Sequence, residues 1–267
     1  MPAEPFDLTD VLPSLAGDGW RGMARRSLEN VLGLTRVRAT FRRAAAQPGE
    51  VFTEALHAYG LEVDCPGFDE AVPATGPVVV VANHPFGGAD AMSLGTLCGT
   101  RRPDSLMLAN RMTAAIPGIG SKMIPLSILN EGDTARDNAR SLRAALQHLR
   151  AGGLLSCFPA GEVASFRDGK VTEGPWSPHV AALALKAKAD LVVVRFPGQA
   201  PEWFHQAGKL HPMVRTALLP RVLLVMDGQT VPCHAQRIGF EEVATMTPQD
   251  LSAFLRARAI GEETPPL

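Results

Sequence analysis

The sequence predicts an α/β protein with a mostly parallel central sheet flanked by helices and with an amino-terminal amphipathic helical extension. Short apolar runs recur along the chain without the alternation of a half-exposed strand, as expected for strands that are buried on both faces. Segments with apolar residues at helical spacing separate these runs, and this alternation is typical of a parallel sheet. The length of 267 residues suffices for one large domain.

Apolar runs and capping residues place the individual elements. The predicted strands are residues 77–82, 105–109, 123–128, 154–158, 191–196 and 221–226. A helix is predicted over residues 134–150, where Gly152 and Gly153 follow it. Two further helices are expected to begin at Ser177-Pro178 and at Thr247-Pro248, since a hydroxyl suits the cap and proline the first helical position.

Residues 1–60 form the predicted extension, and residues 61–267 the α/β domain. Within the extension, apolar residues such as Trp20, Met23 and Val31 recur at helical spacings with arginines between them. One interpretation is a helical cap packed on the domain with a solvated arginine face. A compatible second interpretation is that these arginines contact anionic lipid head groups at a membrane surface.

Charge and composition exclude several classes of protein. A net charge of -1 and 6% aromatic residues argue against a nucleic-acid partner. The longest apolar stretch falls far short of the roughly 18 residues of a membrane-spanning helix. The acidic start MPAEPFDLTD differs from a secretory signal, so we expect a cytoplasmic protein. No metal site is expected, because the four cysteines are widely separated and form no C-x-x-C pair.

The segment VVVVANHPFGGAD, residues 78–90, carries the strongest chemical signal. A buried strand ends there in a glycine-rich turn, at the edge where open α/β sheets bind ligands. Gly87 and Gly88 allow the turn to fold back, which can bring the Asp90 carboxylate to the His84 imidazole. Such a pair acts as a general base and the group that orients it. The alternative is a histidine that caps the turn and an aspartate that caps the next helix.

Two other polar turns follow predicted strands in the same manner. They are Asn110-Arg111 and the segment from Phe158 to Glu162. Because the carboxyl ends of parallel strands meet at one edge of the sheet, these turns predict a common site with His84.

These residues resemble the glycerolipid and lysophospholipid acyltransferase superfamily. The resemblance rests on N-H-P-F-G-G-A-D, on F-P-A-G-E-V-A-S downstream, on the tract of residues 198–224 and on the sequence R-I-G at residues 237–239. It spans roughly residues 61–240 and is nearest to the bacterial hemolysin-like branch, which is associated with ornithine-, lysine- or glycine-containing lipids.

The resemblance implies roles position by position. It makes His84 the general base and Asp90 the aspartate that orients it. The implied substrate-binding residues are Asn83, Gly87, Gly88, Asn110, Arg111, Phe158, Pro159, Gly161 and Glu162.

Departures from the superfamily pattern bear on the acceptor. His84 and Asp90 are separated by five residues instead of the usual four, and Val163 stands where an arginine is common. Without that cation a phosphate-bearing acceptor is less favoured, and an amino-acid lipid or another zwitterionic acceptor is more favoured. Glu162 would then face an ammonium group of the acceptor, although Arg111 leaves a phosphate-bearing acceptor as an alternative.

The resemblance therefore implies a fatty acyl transfer from acyl carrier protein or coenzyme A thioester to a lysolipid or amino-acid lipid. No cofactor is expected beyond the acyl donor, and the protein would associate peripherally with the inner face of the cell membrane. Backbone N–H groups of the glycine turn would stabilise the oxyanion. The alternative is a non-catalytic lipid-binding or hemolysin-like membrane-active protein.

Overall fold

The computed structural model describes residues 8–11, 14, 16–114, 116, 118–127, 134–167, 169–210 and 212–262. The helices in these residues are α1 (Leu8–Val11), α2 (Trp20–Leu32), α3 (Leu34–Ala45), α4 (Val51–Ala58), α5 (Phe68–Ala71), α6 (Gly88–Arg101), α7 (Arg111–Ala114), α8 (Thr134–Arg150), α9 (Pro178–Ala187), α10 (Glu202–Leu210), α11 (Pro212–Val225), α12 (Phe240–Val243) and α13 (Pro248–Ile260). The strands are β1 (Glu62–Asp64), β2 (Val78–Ala82), β3 (Leu106–Asn110), β4 (Met123–Leu126), β5 (Leu154–Cys157), β6 (Ser165–Arg167), β7 (Lys170–Thr172), β8 (Asp190–Arg195), β9 (Thr230–Pro232) and β10 (His234–Ile238).

The main sheet has the strand order β10-β8-β2-β5-β3-β4. Its strands are parallel except β10, which pairs antiparallel with β8. All five residues of β2 are buried, which explains why this strand has a continuous run of apolar residues instead of an alternating pattern. The mostly parallel α/β fold predicted from the sequence is confirmed.

Helices cover both faces of this sheet. Val78 and Val80 of β2 pack into one core, which also contains residues of α3, α4, α6 and α11. Val79 and Val81 point to the other face, because successive side chains of a strand alternate, and they pack with α8, α9 and α13. The carboxyl ends of β2, β5 and β3 therefore emerge side by side between two helical layers.

The predicted strand over residues 221–226 is wrong, because residues 221–225 belong to α11. Short apolar runs look alike in a buried strand and a buried helix, and the helix here continues through Pro220. The sixth strand of the sheet is instead β10, whose mostly exposed edge position needs few apolar residues. Residue 128, the last of the third predicted strand, lies outside the described residues.

The described part of residues 1–60 is mostly helical, and its helices α3 and α4 enter the main core. Phe41 and Phe52 are buried with residues of β2, and the Tyr59 hydroxyl donates to the Val37 carbonyl at 3.1 Å. Phe52 packs directly on α6, since a Cβ built on Gly95 would lie 2.4 Å from the Phe52 Cγ. Residues 1–7, at the start of the predicted extension, lie outside the described residues.

No helix in the described ranges combines the length and the hydropathy needed to cross a bilayer.

The contact between Phe52 and Gly95 leads to a test of stability. Phe52→Ala is expected to lower the free energy of unfolding by about 3–5 kcal/mol, because it leaves a cavity between α4 and α6. Val31→Ala on exposed α2 serves as the control, with an expected change within about 0.5 kcal/mol. Urea unfolding measures both, and equal effects of the two substitutions would contradict the packing described.

Candidate active site

The turn between β2 and α6 depends on a glycine in a left-handed conformation. Gly87 has φ 83° and ψ -100°, and a Cβ there would lie 2.8 Å from the Leu219 Cδ2. A side chain at this position would therefore be strained by its backbone and would collide with α11. The turn brings residue 90, in the first turn of α6, back towards the end of β2.

This turn places the two predicted catalytic residues against each other. The His84 Nδ1 lies 2.9 Å from the Asp90 Oδ1, and Asp90 is fully buried. The other oxygen, Asp90 Oδ2, accepts the backbone N–H of Phe86 at 2.8 Å and of Gly87 at 3.3 Å. These bonds fix the carboxylate, which in turn fixes the imidazole ring. In the described part of the chain no group hydrogen bonds to the His84 Nε2.

A second buried carboxylate, Glu173, also lies at His84. Its Oε2 accepts the His84 backbone N–H at 3.1 Å, and its Oε1 accepts the Trp176 indole N–H at 3.2 Å. Burial raises the pKa of Glu173. No sequence motif pointed to this residue, because its position depends on the β6–β7 hairpin that folds back over the site.

The charges around His84 decide its protonation. Burial by itself lowers the pKa of His84, but the charge and hydrogen bond of Asp90 and the charge of Glu173 outweigh it. The pKa of His84 is therefore raised above the ordinary value for histidine. The imidazolium form, which a general base becomes after it takes a proton, is stabilised at this site.

The F-P-A-G segment packs directly on the histidine because β5 is the neighbour of β2 in the sheet. The Phe158 ring stacks on the His84 ring with the centroids 4.0 Å apart and an angle of 23° between the planes. The Ala164 N–H donates to the His84 carbonyl at 2.8 Å, so the chain after this segment is also held at the site.

A mostly apolar cavity of about 340 Å³ opens beside His84. It lies between the carboxyl ends of β3, β4 and β5 and the helices α8 and α9. Its walls include His84, Met107, Leu108, Asn110, Met123, Leu126, Leu142, Phe158, Pro159, Gly161 and Val180. Four predicted substrate-binding residues, Asn110, Phe158, Pro159 and Gly161, are therefore brought together with His84.

Other predicted site residues have different surroundings. The Asn83 side chain donates to the Phe196 carbonyl at 2.9 Å and accepts the Phe196 N–H at 2.7 Å, which joins β2 to the end of β8. Arg111 is not among the cavity walls and pairs with Asp137 of α8 at 2.8 Å. Gly88 begins α6, where a Cβ would lie 3.3 Å from a Leu223 methyl group.

Glu162 lies next to the cavity, but its carboxylate forms ion pairs with two arginines. Its Oε2 is 3.0 Å from Arg215 Nη2, and its Oε1 pairs with Arg167. This geometry argues against the predicted contact with an ammonium group, because the carboxylate is already neutralised. Arg215 was not predicted as a site residue, because its segment, α11, was not recognised as a helix.

The described residues contain no cluster of three or more histidine, cysteine, aspartate or glutamate side chains that could hold a metal ion.

Comparison with known proteins bears on this site. A family model described as acyltransferase matches residues 7–259. A lyso-glycine lipid O-acyltransferase of Bacteroides thetaiotaomicron is 26% identical over 137 residues, which cover 51% of this chain and 48% of that protein. A lyso-glycine lipid O-acyltransferase of Phocaeicola vulgatus is 22% identical over 210 residues, which cover 77% of this chain and 73% of that protein. The matched part thus spans about half of the first relative and about three quarters of the second.

A solved structure has a similar fold. The crystal structure of the 1-acyl-sn-glycerophosphate acyltransferase PlsC from Thermotoga maritima aligns with a TM-score of 0.51 and 17% identity. The alignment covers 94% of this chain and 84% of that one.

The raised pKa of His84 can be measured directly. In an NMR titration of the histidine rings, we expect His84 to titrate above the ~6.5 of an ordinary histidine. Asp90→Asn should bring this pKa down, because the carboxylate charge is removed while burial remains. A pKa of His84 that does not fall in Asp90→Asn would contradict the pairing described.

The same shift has a consequence for stability. The folded protein binds the His84 proton more tightly than the unfolded chain does. The contribution of this group to stability is therefore fully present below pH ~6.5 and is lost as the pH rises through the raised pKa.

Proposed function

Because the chain belongs to the acyltransferase family, we propose that it transfers a fatty acyl group from a thioester to the hydroxyl of a lyso amino-acid lipid, with His84 as the general base. The observation that carries this proposal is the buried Asp90 carboxylate 2.9 Å from the His84 Nδ1, beside an apolar cavity. A protein that only binds lipid has no need of a base held in this way.

In the proposed reaction His84 Nε2 removes the proton of the acceptor hydroxyl. The resulting alkoxide oxygen attacks the thioester carbonyl, so that a C–O bond forms and the C–S bond breaks. The thiolate leaves with the proton that His84 had taken. Asp90 keeps the ring in the tautomer with the proton on Nδ1 and stabilises the imidazolium between the two proton transfers.

The oxyanion of the intermediate needs N–H donors that are not otherwise engaged. The N–H groups of Phe86 and Gly87 donate to Asp90, so they do not serve this purpose. The Gly88 N–H at the start of α6 remains the candidate from the glycine turn, with the positive end of the helix dipole behind it.

The cavity beside His84 suits the acyl chain. Its walls include Met107, Leu126 and Leu142, and burial of each methylene there contributes about 0.8 kcal/mol. An acyl group in this cavity would present its thioester carbonyl near His84. The donor is an acyl carrier protein or coenzyme A thioester.

The relatives support this acceptor class, because their name specifies O-acylation of a lyso-glycine lipid. An amino-acid lipid also agrees with Val163 at the position where phosphate-binding relatives commonly carry an arginine. We therefore propose a lyso amino-acid lipid as the acceptor and a hydroxyl as the attacking group.

Thiol release from palmitoyl-carrier protein and palmitoyl-coenzyme A tests this function. With a panel of lysolipids and acyl-amino-acid acceptors, we expect acceptor-dependent release by the wild type and a loss of about 10²–10⁴-fold in His84→Gln. His57→Gln, an exposed histidine of α4, is the matched control and should leave the rate unchanged.

Two results would overturn the proposal. Undiminished thiol release by His84→Gln would exclude His84 as the general base. A folded wild type without release for any pair of donor and acceptor would favour lipid binding without catalysis.

We also propose that α2 lies on the inner face of the cell membrane. Trp20, Met23 and Val31 of this helix are exposed on one side, at 69%, 61% and 66%, and the exposed arginines Arg21 and Arg26 flank them. Aromatic and aliphatic side chains bordered by cations are typical of a helix that rests in an anionic lipid surface. Two other arginines of this region, Arg36 and Arg38, are paired with Asp227 and with Glu29.

Sedimentation with vesicles tests this surface. The Arg21→Gln/Arg26→Gln double variant is expected to bind anionic vesicles about 30-fold more weakly, at about 1 kcal/mol for each arginine. Arg136→Gln/Arg140→Gln, an exposed pair on α8, is the control. Binding that does not weaken with added salt, or that weakens equally in both double variants, would contradict this orientation.

A further inference from the structure

A second cavity, of about 270 Å³, lies beside the site, and its walls include more charged side chains than those of the first. It is bounded by the segment after F-P-A-G, by strand β6 and by α10 and α11. Its walls are Glu162, Ser165, Phe166, Arg167, His205, Gly208 and Arg215. We call it the arginine cavity.

Positive charge prevails in the arginine cavity. Arg167 and Arg215 share the single carboxylate of Glu162, which leaves one net positive charge among the described residues that line it. The side chain of Arg215 is only 15% exposed. Its aliphatic part packs on α10, where a Cβ on Gly208 would lie 3.1 Å from the Arg215 Cδ.

Two buried groups of this cavity lack well-formed hydrogen bonds to the described residues. They are the Arg167 Nε and the ring of His205, which is only 4% exposed and whose one polar neighbour besides Arg215, in the described part of the chain, is the Ala200 backbone. A buried polar group without a partner costs about 1–3 kcal/mol, and a ligand in the cavity could bond to these groups. Burial and the Arg215 charge lower the pKa of His205, and the neutral ring then offers one donor and one acceptor.

The backbone connects the arginine cavity to His84. Gly161 lines the apolar cavity, and the next residue, Glu162, lines the arginine cavity. Between Glu162 and Ser165 of the arginine cavity lies Ala164, whose N–H is bonded to the His84 carbonyl at 2.8 Å. The arginine cavity is therefore next to the segment that packs on His84.

We propose that the arginine cavity binds the carboxylate of the acceptor's head group, with Arg215 and Arg167 as its cationic partners. This inference rests on the proposed acyl transfer to an amino-acid lipid. One net positive charge matches a singly charged carboxylate better than a phosphate dianion, and the planar guanidinium of arginine fits a carboxylate with two parallel hydrogen bonds. The apolar cavity and the arginine cavity would thus separate the acyl donor from the acceptor, with His84 between them.

A matched pair of acceptors tests this assignment. An N-(3-hydroxyacyl)glycine and its glycinamide counterpart both carry the reacting hydroxyl but differ in the charge of the head group. The wild type should prefer the carboxylate acceptor by about 10–100-fold in kcat/KM, the range of a charged hydrogen bond. Arg215→Gln should abolish this preference, mainly through KM, and should change the rate with the glycinamide by less than about threefold.

The control is Arg237→Gln. Arg237 is also an ion-paired arginine, but its partner Asp190 lies at the amino end of β8, away from His84. Arg167→Gln provides a second variant if Arg215→Gln unfolds, because Arg167 is 39% exposed. Wild-type protein that does not distinguish the two acceptors, or an Arg215→Gln variant that loses both activities equally, would overturn the assignment.

A binding measurement separates failure of this assignment from failure of the proposed function. Calorimetry with His84→Gln needs no turnover and uses N-palmitoylglycine, N-palmitoylglycinamide and coenzyme A as probes. Arg215→Gln in this background should weaken binding of N-palmitoylglycine about 10–100-fold and leave the glycinamide unchanged. If Arg215→Gln weakens only the binding of coenzyme A, the arginine cavity would bind the phosphates of the donor, and the proposal would be overturned.

Discussion

The buried Asp90 carboxylate joins the carboxyl end of β2 to the first turn of α6, and the site depends on this junction. One of its oxygens accepts two backbone N–H groups of the turn, and the other faces the His84 ring. The same carboxylate thus closes the turn and orients the imidazole. The bonds of Asp90 are internal to a seven-residue segment, residues 84–90, while Glu173 and Ala164 hold the backbone of His84 from elsewhere in the chain. Distant parts of the chain supply the surroundings of His84, since Phe158 stacks on one face of its ring and Glu173 accepts its backbone N–H.

That difference between local and distant contacts explains what the sequence could predict. The strands β2, β3, β5 and β8 were recognisable because burial on both faces demands continuous apolar runs. His84 and Asp90 were recognisable because the turn that joins them is short and rich in glycine. The placement of Phe158 beside them followed from the rule that parallel strands end at the same edge.

Other features had no local signal. Residues 221–225 satisfied the pattern of a strand, and only the packing of α11 against neighbouring helices decides that they are helical. The pairing of Arg215 with Glu162 joins residues 53 positions apart, and Glu173 meets His84 across 89 positions. Neither contact is specified by spacing along the chain, since both depend on how the hairpin and the helices fold over the sheet edge.

Two cavities lie on either side of the segment that follows β5: one has mostly apolar walls and includes His84, and the other contains the paired arginines. Their separation is a matter of strand order, since the apolar cavity lies on the side of β5, β3 and β4, whereas the arginine cavity lies under α10 and α11. The chain from Phe158 to Ala164 forms the partition between them. A substitution in this segment would therefore alter the apolar cavity and the arginine cavity together. It could not separate the contribution of one cavity from that of the other.

The contact of Phe52 with Gly95 has a further mechanical consequence. α6 carries Asp90 near one end and Gly95 one turn later, and α4 is packed so closely there that no methyl group fits between them. α3 and α4 share one core with α6, and α2 continues into α3 through Gly33, so packed helices connect the exposed face of α2 with His84 and Asp90. In the proposed orientation of α2 on a bilayer, the packing of α3, α4 and α6 would set how far a lipid must rise from the membrane to reach His84.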